Sequence, residues 1–142
     1  MAPPYVGLAT LGPDYRRGVE LDEVLAALAA REPLFHRRDL VNSPETFDAE
    51  VADDFWEVGA SGRVYDRAFV REVVLRRLKE PVDAADAEGW RISGEAVRHL
   101  GADTYLFTYV LHAPDRVTRR ATLWGRTQTG WQALYHQGTV VA

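Results

Sequence analysis

Three residue types in this chain could carry acid/base or oxyanion chemistry without any added group. His136 titrates near neutrality as an imidazole and is the foremost general acid/base candidate. Glu57 is a carboxylate inside an otherwise apolar and aromatic run, Phe55-Trp56-Glu57-Val58, where it could act as base or orient an imidazole. Arg120 offers a planar fork of donors that could hold a carboxylate or steady a developing oxyanion. An ion pair of Glu57 with Arg120 or Arg63, and a neutral His136 bonded to Thr122 or to a buried carboxylate, would explain the same residues without a substrate. Ser61, in Gly59-Ala60-Ser61-Gly62-Arg63, misses the spacing of a nucleophile elbow and reads as a turn residue. The four histidines, His36, His99, His112 and His136, show no metal-ligand spacing, so no metal is expected. With no cysteine and no glycine-rich phosphate loop, neither thiolate chemistry nor a nucleotide cofactor is implied.

The elements that must position these residues can be read from periodicity. Residues 1–18 carry Pro3, Pro4, Gly7, Gly12, Pro13 and Gly18 without a sustained period and read as a flexible arm before a domain spanning 19–142. From Glu20, Leu21, Val24, Leu25 and Leu28 recur at helical spacing, and Pro33 interrupts that helix before Leu34-Phe35-His36. Ser43-Pro44 reads as a cap and first residue of a short helix with Phe47 and Val51 on one face. Phe55–Val58 and Arg63–Tyr65 then suggest a small hairpin. Asp66 can cap a third helix with the apolar stripe Phe69, Val70, Val73, Val74 and Leu78, its arginine-rich side facing solvent. An acidic run from Asp83 to Glu88 connects to four strand-like segments, 90–100, 104–112, 116–126 and 131–140, joined by links too short for parallel crossovers. Helices first and an antiparallel meander last give an α+β domain.

Hairpin register assigns the faces. Pairing Ala113 with Arg116, and Thr127 with Trp131 across a three-residue loop, places Tyr105, Phe107, Tyr109, Arg120, Thr122, Trp124, Leu134 and His136 on one face. That face is aromatic with a few polar groups, the usual composition of a small-molecule site. The opposite face carries Leu106, Thr108, Val110, Val117, Arg119, Ala121, Leu123, Tyr135 and Gln137, a patch large enough to suggest a homodimer.

The runs Glu32-Pro33-Leu34-Phe35-His36, Phe55 to Arg63, Arg120-Ala121-Thr122-Leu123-Trp124 and Tyr135-His136-Gln137-Gly138-Thr139, within this order of elements, resemble the nuclear transport factor 2-like (cystatin-like) superfamily. That superfamily includes ketosteroid isomerases and SnoaL-like polyketide cyclases, and the runs look like a bacterial branch of unknown function. The resemblance implies a cone-shaped curved sheet with helices on its concave face, a pocket in the cone, and commonly a homodimer through the outer face. It also implies that Glu57, Ser61, Arg120, Trp124 and His136 line or support that pocket. The Tyr and Asp pair and the Asp base of the active isomerases have no evident counterparts here.

The 142-residue length fits one domain, and the composition, 46% hydrophobic and 27% charged, is that of a globular one. A net charge of −4 gives no general attraction to nucleic acid, and no apolar run approaches membrane-spanning length. The arginine-rich basic complement, with Lys79 the only lysine, suggests a high-GC bacterial source, and the cytoplasm is the expected location. Two functional classes remain open: a pocket for a small, largely apolar ligand with cofactor-independent isomerase, cyclase, dehydratase or hydrolase chemistry, and a non-catalytic dimeric interaction or ligand-sequestering module.

Overall fold

The computed structural model describes residues 13–81 and 89–142. Its elements run α1 (Pro13–Ala29), a 3-10 turn (Leu34–His36), α2 (Pro44–Glu50), β1 (Val51–Val58), β2 (Val64–Asp66), α3 (Arg67–Leu78), β3 (Arg91–Gly101), β4 (Thr104–His112), β5 (Val117–Arg126) and β6 (Trp131–Val140). The six strands form one curled sheet in the order β2-β1-β6-β5-β4-β3. The four-strand meander is antiparallel, and β1 joins it by pairing parallel with β6.

Local chemistry explains most boundaries. Ser43 caps α2 through a reciprocal box: its Oγ accepts from Thr46 N, and Thr46 Oγ1 accepts from Ser43 N. Asp66 caps α3 by accepting from Phe69 N at 2.8 Å. Three elements depart from the sequence reading. The first helix begins at Pro13, inside the segment read as an arm, since Pro at a first helical turn sacrifices no hydrogen bond. Strand β1 starts at Val51 instead of Phe55, so Val51 closes α2 and opens the strand at once. The basic side of α3 is only partly solvated: Arg67 donates to Ala52 O, Val51 O and Asp48, and Arg71 pairs with Asp48, which pins the helix to α2 and β1. Residues 1–12 and the whole acidic run from Asp83 to Glu88 lie outside the described residues.

The core sits between the helices and one face of the sheet. Burial along β4 alternates strictly, with Tyr105, Phe107, Tyr109 and Leu111 inward. The β4–β5 register pairs Tyr105 with Trp124, Phe107 with Thr122 and Tyr109 with Arg120, as the Ala113–Arg116 turn dictates. Between β5 and β6 two departures cancel. The turn is one residue tighter than expected, pairing Arg126 with Trp131 and closing with Thr127 N donating to Gly130 O. A bulge at Leu134 then restores the offset, so Thr122 still faces His136. The consequence is a correction for Leu134. Ala133 takes the buried place opposite Trp124, and Leu134 falls on the other face, over Gly125.

Candidate functional site

The inward face converges on a buried carboxylate. Glu32, at the end of the segment leaving α1, is 1% exposed. Its Oε2 accepts from Tyr109 Oη at 2.7 Å and from Leu34 N at 3.2 Å, and its Oε1 accepts from Trp124 Nε1 at 3.2 Å. Three donors aimed at one carboxylate offset the cost of removing it from water. Burial and the nearby Glu32 push the Tyr109 hydroxyl well above its usual range, so it remains a donor. Tyr109 and Trp124 are thereby fixed as core and cannot also face a ligand freely.

Beside this carboxylate lies a chamber of about 10 Å3, lined by Glu32, Leu34, Phe35, Phe55, Arg120, Thr122, Ala133 and His136. A space of that size holds about one water molecule. His136 Nδ1 lies 2.8 Å from Thr122 Oγ1, and Arg120 is held by its Nε, which donates to Thr118 Oγ1 at 3.1 Å. Burial first, then the positive Arg120 and the neighbouring His36, lower the His136 pKa to about 3. His136 is therefore a neutral imidazole across the physiological range.

Glu57 stands next to His136 in the parallel β1–β6 ladder, yet it lines a separate, larger cleft. This cleft, about 330 Å3, is walled by Phe35, Tyr65, Phe69, Val70, Val73 and Val74, with Glu57 and Arg77 as its charged groups. Such a volume falls within the range of small-molecule sites. Burial raises the Glu57 pKa, and Arg120 on one side and Arg77 on the other oppose the shift. Tyr65 stacks on Phe69, with ring centroids 5.0 Å apart, and approaches Gly59 so closely that a Cβ there would meet its ring at 2.9 Å. Phe35, on the 3-10 turn, is the side chain common to chamber and cleft.

Of the residues expected to form a site, Arg120, Thr122 and His136 come together in the chamber, and Glu57 lines the adjoining cleft. Tyr105, Phe107, Tyr109 and Trp124 share the inward face but are buried as core. Tyr105 packs at the far end against His99 and Trp131. Leu134 is on the opposite face, and Ser61 is exposed in the β1–β2 turn, where its Oγ accepts from Arg63 N. Arg63 lies over the Tyr65 ring at 5.7 Å. Sequence reasoning passed over Glu32, Phe35, Arg77 and the α3 stripe as site residues. The signal for Glu32 was present: a carboxylate just before Pro33-Leu34-Phe35 has no solvated face to occupy. Among the described residues no group of three or more His, Cys, Asp or Glu is placed to hold a metal ion.

Solved structures share this architecture. A protein of a family of unknown function from Pectobacterium atrosepticum aligns with a TM-score of 0.66 and 16% identity over 93% of this chain and 99% of its own. A nuclear transport factor 2-like protein from Streptomyces avermitilis, for which dehydratase activity has been suggested, gives 0.64 and 17% identity over 89% and 99%. A cystatin-like fold protein from Burkholderia xenovorans gives 0.62 and 18% over 92% and 94%. The chain therefore has the cystatin-like, nuclear transport factor 2-like fold. No protein-family model matches the chain, and no curated protein matches it in sequence.

Proposed function

We propose that the chain binds a small, largely apolar organic molecule in the cleft between α3, β2 and the Leu34–His36 turn, with Glu57 as its acid/base group. One observation carries this reading: a ligand-sized space of about 330 Å3 has apolar and aromatic walls interrupted only by Glu57 and Arg77. A carboxyl whose pKa is raised by burial is better matched to proton transfer near neutrality than an exposed one. Isomerisation, cyclisation, dehydration and hydrolysis all fit one such group. The alternative, a non-catalytic dimeric interaction or ligand-sequestering module, is supported by the interior around His136, where Trp124, Tyr109 and Phe107 are buried and the chamber measures only about 10 Å3.

Ligand-observed NMR with a fragment panel of small aromatic and alicyclic compounds tests the site. Val73→Trp, which fills the cleft from α3, should abolish binding of the hits; undiminished binding would remove the cleft from consideration. Glu57→Gln then separates the classes. With an enzyme it should leave ligand affinity within about threefold and cost roughly 100-fold in turnover. With a sequestering protein there is no turnover to lose.

We infer in addition that a second copy of the chain covers the outer face of the sheet. There Trp56, 47% exposed, packs on Tyr135 with ring centroids 4.5 Å apart, and Leu106, Val110, Leu123 and Leu134 remain half-exposed in the single chain.

A further inference from the structure

Chamber and cleft are two compartments with one shared wall, the Phe35 ring. Phe35 stands on a three-residue 3-10 turn and is only partly buried. Its ring lies 6.0 Å from Phe47 and 5.9 Å from Phe55, centroid to centroid, and its remaining side borders the cleft. Behind it the chamber carries one cation, Arg120, one carboxylate, Glu32, and the neutral His136. Glu32 already accepts three hydrogen bonds and Arg120 Nε is committed to Thr118, so the capacity left over is largely that of the terminal nitrogens of Arg120 as donors. Arg120 and Glu32 bring opposite charges to the chamber, and a charged head group would upset that balance in a space with room for about one water molecule.

We propose that Phe35 is a gate joining the two compartments, and that the site takes a neutral ligand whose apolar body fills the cleft while a single carbonyl or hydroxyl oxygen passes Phe35 to reach Arg120. The oxygen takes the place of the one water the chamber can hold. This assignment rests on the cleft being the binding site, and it adds the head-group chemistry and the residue that admits it.

The test uses two probes of nearly the same body, acetophenone with a carbonyl and ethylbenzene without one, on protein labelled at valine methyls and histidine Cε1. Both probes should shift the Val73 and Val74 methyls, and only acetophenone should shift His136, while binding about tenfold more tightly through its extra hydrogen bond. Phe35→Trp, a bulkier wall, should remove the His136 response to acetophenone even at probe concentrations raised to restore the valine response. Valine shifts without a His136 shift, or a His136 shift that survives Phe35→Trp, would overturn the gate and leave the cleft standing. If neither probe moves the valines at millimolar concentration, the cleft reading itself falls.

Discussion

His136 illustrates how one side chain couples burial to acidity. Its pKa falls from 6.5 to about 3 because burial disfavours the imidazolium and because Arg120 and His36 are close. The folded protein binds fewer protons than the unfolded chain between those values, so stability is complete above pH 6.5 and declines as the pH drops through that window. The slope approaches ~1.4 kcal/mol per pH unit from this group. Glu57 acts oppositely just above pH 4.5: its raised pKa makes the folded state the stronger proton binder there, so its contribution falls as pH rises. His136→Gln, which can keep a hydrogen bond to Thr122, isolates the histidine. Urea titrations from pH 7 to 4 should show the wild type losing stability faster than the variant, and parallel curves would refute the buried neutral imidazole. The sequence placed His136 opposite Thr122 but could not show its titration, because that depends on how completely α1, the 3-10 turn and the sheet exclude water.

At the scale of elements, residues with local causes were legible. Ser43 and Asp66 cap where their side chains allow, and the Ala113–Arg116 turn fixes the β4–β5 register. The helix start at Pro13 and the early start of β1 were not, since tertiary pairing overrides weak propensity there. The β5–β6 hairpin is the instructive case. A turn one residue too short and a bulge at Leu134 compensate, so the face of His136 was assigned correctly while that of Leu134 was not. Nothing in the composition of Leu134 marks a bulge. Likewise, Glu57 and His136 were associated through the family resemblance alone, because a parallel β1–β6 contact leaves no short-range trace. The outer sheet face yields its own prediction: light scattering should give twice the mass of one chain at micromolar concentration. A Trp56→Lys, Tyr135→Lys variant with unchanged circular dichroism should give one chain mass. A wild type that is already monomeric at that concentration would discard the dimer.

For the whole molecule, the decisive connection is β1 on β6. The meander β3–β6 consists of neighbours in sequence, whereas β1 docks onto the last strand across most of the chain. Closing so long a loop costs entropy before its contacts repay it, so β1 is expected to dock onto the already paired meander after the folding barrier has been crossed. Truncating Val51, fully buried on β1 and paired with Ala133, to Ala should therefore leave the folding rate nearly unchanged and accelerate unfolding, as expected of a contact formed late. A stopped-flow chevron in which folding slows as much as unfolding quickens would instead place β1 in the nucleus. Late docking has a biological corollary. Glu57 arrives with β1, whereas His136 waits on β6. The chamber takes Glu32, Leu34, Phe35 and Phe55 from the first part of the chain and Arg120, Thr122, Ala133 and His136 from the last two strands, so a half-folded chain has no chamber. A ligand whose oxygen reached that chamber would bind only chains whose two ends have met and would stabilise them by mass action.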